Sequence, residues 1–237
     1  MELSENVALI TGASRGLGFE VARAYAKRGA KLVIAARDPQ QLAAAEAELA
    51  KETDVVALAL DVSQDAERLV QAGIARFGQI DVLVNNASEL GPSPMPALES
   101  YAWQALERVF RVNVLAPLHL TQLVLPGMKE RGAGVIINVS SDAGVEAYPG
   151  WGGYGASKAA LEHLSRTLAA ELDGTGVRIY AVDPGDMNTE MHRLAEPGVD
   201  LSDLPGPAAS APAFVTLVED QPASGRFQAQ ELLAHVS

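Results

Sequence analysis

The chain has 237 residues, 48% of them hydrophobic and 20% charged, a globular composition that excludes a disordered protein. Its 18 basic and 30 acidic side chains leave a net charge of −12, which argues against a general nucleic-acid binder and against docking on an anionic membrane. With no cysteine present, disulfide frameworks, thiolate nucleophiles and thiolate zinc sites are excluded.

The N-terminus, Met1-Glu2-Leu3-Ser4-Glu5-Asn6, is acidic and runs straight into an apolar, strand-like stretch, unlike a secretory signal. No run of about eighteen apolar residues is present, so the expected location is the cytoplasm. Strand candidates are Val7–Ile10, Lys31–Ala35, Val55–Leu60, Val82–Asn85, Val135–Val139 and Val177–Val182, near-continuously apolar, as expected when both faces of a sheet are covered. Helical patterns alternate with them at about Leu17–Arg28, Gln40–Glu52, Asp65–Phe77, Tyr101–Lys129 and Tyr154–Leu172. A last helix near Ala208–Glu219 and a strand near Arg226–Leu232 complete the pattern. This order predicts an α/β fold with a doubly wound parallel sheet in a single domain. Leu194–Pro212 breaks the pattern with four prolines and two glycines and reads either as a surface loop or as part of a lid near 187–212.

The first strand ends in Thr11-Gly12-Ala13-Ser14-Arg15-Gly16-Leu17-Gly18, with a helix opening inside it. Glycines there allow a tight turn and close approach of a pyrophosphate, and the helix N-terminus offers amide donors. The second strand ends Ala36-Arg37-Asp38. Ala36 cannot accept from a ribose 2′-hydroxyl, whereas Arg37 and Arg15 suit a 2′-phosphate, so NADP(H) is expected over NAD(H); Asp38 binding a ribose hydroxyl is the alternative. Asp61 and Val62 follow the third strand and Asn85-Asn86-Ala87-Ser88 the fourth, at the carboxyl ends where ligands bind in open α/β sheets. Asp61 is either an acceptor for an adenine amine or a turn residue. Tyr154 and Lys158, four apart, share a helix face, and an ammonium beside a phenol favours the phenolate and lowers its pKa. Asn113, in an apolar helix, reads as a satisfied core amide or as part of a polar network. The histidines His119, His163, His192 and His235 lack metal-ligand spacing, so no metal is expected.

In order along nearly the whole chain, Thr11-Gly12-x-x-x-Gly16-x-Gly18, Asp61, Asn85-Asn86-Ala87, Asn113, Ser141, Tyr154-x-x-x-Lys158 and Pro184-Gly185 followed by Thr189 resemble the short-chain dehydrogenase/reductase family. The resemblance implies a Rossmann-type parallel sheet of about seven strands in the order 3-2-1-4-5-6-7. It further implies that Tyr154 is the acid/base and that Ser141 steadies the substrate oxygen. Lys158 would bind the nicotinamide ribose and lower the pKa of Tyr154, while Asn113 would place a water for proton resupply. Gly12, Ser14, Arg15, Gly16, Leu17, Gly18, Arg37, Asp61, Val62, Asn86, Ala87, Ser88, Pro184, Gly185, Met187 and Thr189 would contact the cofactor, together with Tyr154 and Lys158. Ser88 departs from the family's usual glycine at that place, and Asp183 directly precedes the Pro-Gly turn.

The substrate pocket is expected to draw on Leu90, Asp142, Glu146, Trp151, Met187 and Met191, with both acids alternatively facing solvent. The C-terminus lacks the family's frequent Asp-Gly-Gly ending, which favours a homodimer through the Tyr101 and Tyr154 helices over a tetramer. The leading expectation is an NADP(H)-dependent enzyme interconverting a small-molecule carbonyl and an alcohol. Its alternative is a non-catalytic NADP(H)-binding sensor on the same fold.

Overall fold

The computed structural model describes residues 1–234; His235 and the end of the C-terminal sequence lie outside the described residues. Seven strands form one parallel sheet: β1 (Val7–Thr11), β2 (Lys31–Ala36), β3 (Val55–Ala59), β4 (Val82–Asn85), β5 (Gly134–Val139), β6 (Val177–Asp183) and β7 (Gly225–Gln228). Their spatial order is β3-β2-β1-β4-β5-β6-β7, as the resemblance implies. The order reverses between β1 and β4, which creates the crevice where such sheets bind ligands.

Alternation along each strand sends side chains to opposite faces of the sheet. Ala8, Ile10, Leu32, Ile34, Val84 and Ile137 pack on one side with α1 (Gly16–Ala26) and α2 (Pro39–Leu49). Leu9, Val33, Leu83 and Ile136 pack on the other with α3 (Ala66–Phe77) and the long helical stretch beyond β4. Burial of this kind contributes about 25 cal/mol per Å² of apolar surface, which is why the strands lack polar alternation.

Beyond shifts of one to three residues at several ends, two elements differ from expectation in kind. The helix expected at Tyr101–Lys129 is three segments, α4 (Trp103–Phe110), a π-helical turn at Arg111–Leu115, and α5 (Ala116–Arg131). This stretch, Trp103–Arg131, is the described helix long and apolar enough to cross a membrane, and half of its most apolar window is buried inside the fold, as in a core helix. The strand expected at Arg226–Leu232 stops at Gln228, because Ala229 turns into the core and opens the short helix that follows, α9 at Ala229–Ala234. Between these lie α6 (Gly152–Glu171), α7 (Glu190–Ala195) and α8 (Ala211–Asp220). The proline-rich stretch is therefore helical at its start, irregular from 196 to 206, and closed by a 3-10 turn at Pro207–Ala209.

Candidate active site

The carboxyl ends of β1 to β6 open on one cavity of about 690 Å³. Of the residues singled out in the sequence, Gly12, Ser14, Arg15, Gly16, Leu17, Arg37, Asp61, Val62, Asn86, Ala87 and Ser88 line it. So do Leu90, Ser141, Asp142, Trp151, Tyr154, Lys158, Pro184, Gly185, Met187, Thr189 and Met191. Gly18, Asn113 and Glu146 do not.

At its β1 end the glycine turn is held from behind. Asn86 Nδ2 donates to the carbonyls of Thr11 (2.8 Å) and Gly12 (3.1 Å), and a Cβ at Gly18 would sit 2.5 Å from the Gly12 carbonyl oxygen. Asn86 thus spends its amide on fixing the turn. Gly16 has the left-handed φ of +59°, and a Cβ there would meet nothing within 4 Å, so this glycine borders open space. Arg15, the N-cap of α1, is extended and its side chain caps nothing, and the first helical turn carries no acid. An open cradle over uncapped amides fits a dinucleotide pyrophosphate.

The neighbouring charges are paired in ways the sequence did not indicate. Arg37 Nη1 donates to Glu89 Oε2 at 3.0 Å, and Arg15 is bonded to Glu190 on α7. Asp38 Oδ1 accepts from the amides of Gln40 (2.9 Å) and Gln41 (3.0 Å) and so caps α2. Asp61 Oδ1 accepts from Ser63, and Oδ2 from Arg108 Nη2 at 2.7 Å. Burial pushes the Asp61 carboxyl up, but these bonds outweigh it and hold it below its ordinary value. Ser63 and Arg108 thus hold Asp61 in its turn, at the border of the cavity.

At the other end lies the phenol of Tyr154, 8% exposed. Leu90, Ala143, Trp151 and Met191 surround it with apolar surface, Trp151 edge-on at 5.9 Å between ring centroids. Lys158 Nζ sits 5.3 Å from the centre of the Tyr154 ring and donates to the Val139 carbonyl at 2.7 Å. Burial lowers the Lys158 pKa to about 8, with Glu162 pulling it back up. Burial, ahead of the charges of Asp142 and Asp183, pushes the Tyr154 phenol above its ordinary value, and the nearby Ser88 and Ser141 hydroxyls only partly offset it. The expected lowering of Tyr154 by Lys158 is therefore corrected: Lys158 is not among the causes of this shift, the groups that favour the phenolate are the two serine hydroxyls, and burial of the phenol itself outweighs them. Ser141 Oγ donates to Asp142 Oδ1 at 2.9 Å, and Asp142 Oδ2 accepts from Tyr148 at 2.9 Å, so Asp142 faces the site while Glu146 lies away from it.

Asn113 sits inside the π turn, 1% exposed, with its amide saturated. Oδ1 accepts from Glu89 N (2.7 Å) and Ser88 Oγ (3.2 Å), and Nδ2 donates to Glu89 O (2.9 Å) and Ser157 Oγ (2.9 Å). The expectation that Asn113 places a water is not carried by its side chain, which instead binds the Ser88-Glu89 segment to α6. Thr189 Oγ1 accepts from His192 N at 3.2 Å and caps α7 while bordering the cavity.

Residues 6–199 match the family model for short chain dehydrogenases. The chain belongs to the short-chain dehydrogenase/reductase family. An oxidoreductase of Thermotoga maritima is 38% identical over 193 residues, 80% of this chain and 75% of its own. A short-chain dehydrogenase structure from Salmonella enterica, 28% identical, superposes with a TM-score of 0.87 over 97% of this chain and 98% of that one. A metagenomic short-chain oxidoreductase in complex with NADP, 31% identical, gives 0.81 over 96% and 98%. An NAD+-bound xylitol dehydrogenase, 23% identical with a TM-score of 0.85 over 96% and 98%, shares the fold.

Four further residues of the site, Glu89, Glu190, Glu162 and Arg226, carried no local signal in the sequence, and Asp183 was marked there only by its place before the Pro-Gly turn. Glu89 and Glu190 are charges whose arginine partners lie 52 and 175 positions away. Glu162, Asp183 and Arg226 form a buried ion network under Lys158, with Arg226 Nε to Glu162 Oε1 at 2.9 Å and Nη2 to Asp183 Oδ2 at 3.1 Å. Burial raises the Asp183 carboxyl above its ordinary value, only partly offset by the Gly185 amide and Arg226. Among the described residues no cluster of acids and histidines is suited to hold a metal.

Proposed function

We propose that this protein is an NADP(H)-dependent oxidoreductase of the cytoplasm that interconverts a small-molecule carbonyl and an alcohol, with Tyr154 as the acid/base. The observation that carries the reading is the buried Tyr154 phenol, with Lys158 Nζ 5.3 Å from its ring and Ser88 and Ser141 lining the same cavity as the glycine turn. NADPH bound along that cavity would supply a hydride to the carbonyl carbon. Tyr154 then gives its proton to the carbonyl oxygen, and in the reverse direction takes it from the alcohol. Ser141 orients the oxygen and stabilises charge building on it, once its hydroxyl turns from Asp142 toward the substrate. Lys158 holds a proton close below Tyr154 for resupply, a role suited to an amine whose pKa is lowered to about 8.

Arg15 and Arg37 favour the 2′-phosphate of NADP(H), which would replace Glu190 and Glu89 as their partner, and Asp38 is occupied as a helix cap. Pro184, Gly185, Met187 and Thr189 would border the nicotinamide. The segment 187–212 would act as a lid on a single domain, anchored where Ser93 Oγ bonds the Leu194 carbonyl (2.7 Å) and Asn188 N the Pro205 carbonyl (2.9 Å). Trp103 and Leu115, 72% and 57% exposed, support a homodimer through the α4–α5 and α6 helices.

The test follows NADPH absorbance over ketones, aldehydes, quinones and β-ketoacyl thioesters. Turnover by the native chain, reduced about 10²–10⁴-fold or more in Tyr154→Phe with NADPH binding retained, is the expected result. Arg37→Ala should weaken NADPH binding by about tenfold or more and leave NADH binding unchanged. Full turnover in Tyr154→Phe would overturn the acid–base reading.

A further inference from the structure

Four charged side chains form a row along one end of the cavity: Arg37 after β2, Glu89 after β4, Arg108 on α4 and Asp61 after β3. Glu89 Oε2 stands between the two arginines, 3.0 Å from Arg37 Nη1 and 3.8 Å from Arg108 Nε. Arg108 Nη2 in turn donates to Asp61 Oδ2 at 2.7 Å. The row holds two cations against two anions, so neither arginine is spare. Its members differ in freedom. Glu89 is pinned, because Asn113 bonds both its amide (2.7 Å) and its carbonyl (2.9 Å), and its side chain is 23% exposed. Arg37 is 61% exposed and free to swing toward a ligand. Asp38, the acid next to it in the chain, is spent on capping α2.

A phosphate monoester arriving at Arg37 brings close to two negative charges beside the Glu89 carboxylate. It has to break the Arg37–Glu89 bond, and it then faces a like charge whose backbone does not retreat. Rotation of its own side chain leaves Glu89 one other cation, Arg108, already 3.8 Å away. We propose that Glu89 is a specificity-determining residue that limits the preference for NADP(H) over NAD(H). It competes with the 2′-phosphate for Arg37, and Arg108 receives it when the phosphate wins. This rests on the reading of Arg37 as the partner of the 2′-phosphate. A dinucleotide without that phosphate leaves the Arg37–Glu89 pair intact, so Glu89 opposes one cofactor and is indifferent to the other. Specificity then comes from a repulsive group as well as from the attractive arginine.

The experiment measures the Kd of NADPH and of NADH for the full chain by calorimetric titration, in Glu89→Gln, Arg37→Ala, Arg108→Gln and the doubles with Glu89→Gln. Glu89→Gln keeps the shape of the side chain and removes its charge. NADPH should bind about tenfold tighter to it, with NADH changed by less than about twofold. The gain should shrink as salt rises from about 0.05 to 0.5 M, because the pair is partly exposed and screened. In the Arg37→Ala background the gain should also shrink, since the contested cation is gone. Arg108→Gln should weaken NADPH more than NADH, and adding Glu89→Gln should recover the difference. NADPH binding that is unchanged or weaker in Glu89→Gln overturns the proposal, and so does equal tightening of both cofactors. Equal losses for both cofactors in Arg108→Gln overturn the handover to Arg108. Arg37→Ala that weakens NADPH and NADH alike would instead remove the reading of Arg37, and the role of Glu89 with it. A loss confined to NADPH in Arg37→Ala, with Glu89→Gln unmoved, would overturn the role of Glu89 alone.

Discussion

Lys158 carries its charge where there is almost no water, 2% exposed and bonded to one backbone carbonyl. Its pKa falls from 10.5 to about 8 on folding, through burial, with Glu162 opposing. The unfolded chain therefore holds a proton between those pH values that the folded chain has released, and stability rises with pH across that window. Below about pH 8 the cost of the buried charge is fully present. Lys158→Met should then stabilise the fold at pH 7 by about 1–3 kcal/mol, net of the lost bond to Val139, while turnover is lost. Urea midpoints across the pH range check this: the advantage should shrink as pH climbs from 8 toward 10.5. That Tyr154 and Lys158 share a helix face was legible from their spacing alone. Which of them perturbs the other was not, because the answer depends on burial and on Asp142 and Asp183, set by contacts across the sheet.

The element that seats the site is the π turn between α4 and α5. One slipped hydrogen bond, the Ala116 amide donating to the Arg111 carbonyl, aims Asn113 at the loop after β4 instead of along the helix. Sequence periodicity locates such a helix, and an amide amid Val112 and Val114 marks the place, but the slip follows from the four partners Asn113 finds outside it. Asn113→Ala should cost about 2–4 kcal/mol, since it orphans the Glu89 amide and carbonyl, and lower the Tm by roughly 5–15 °C. Calorimetry checks the size. A loss below about 1 kcal/mol would mean that water replaces the amide. The β7–α9 boundary was illegible for a related reason: Arg226–Leu232 has strand composition, yet Ala229 is buried and Gln230 donates to the Pro184 carbonyl at 3.0 Å, so the chain turns there to close over the end of β6.

Across the whole molecule, the late part of the chain is fastened to the catalytic helix by charge as well as by apolar packing. Arg226 on β7 reaches Glu162 on α6 and Asp183 at the end of β6, and Ser140 Oγ donates to the same Glu162 oxygen at 2.5 Å. Both acids are buried, with side chains 4% and 9% exposed, so removing Arg226 strands the Asp183 carboxylate and leaves Glu162 with only Arg166, at 4.0 Å, and the nearby Lys158. Arg226→Met should destabilise by about 3–5 kcal/mol, a large share of the 5–15 kcal/mol expected of a whole domain. The pH dependence identifies the cause. Asp183 already has a raised folded pKa, and losing Arg226 raises it further, so its burial costs most when it must be ionised. A carboxyl raised on folding loses stability as pH climbs through its folded pKa, so the deficit of Arg226→Met should be largest near neutrality and shrink as pH falls through the carboxylate range. Adding Glu162→Met should recover part of the loss, since a buried pair replaced by apolar side chains is often neutral. Urea unfolding of both variants at neutral and acid pH decides the matter: an equal deficit at both would place the damage in packing and not in the stranded charges.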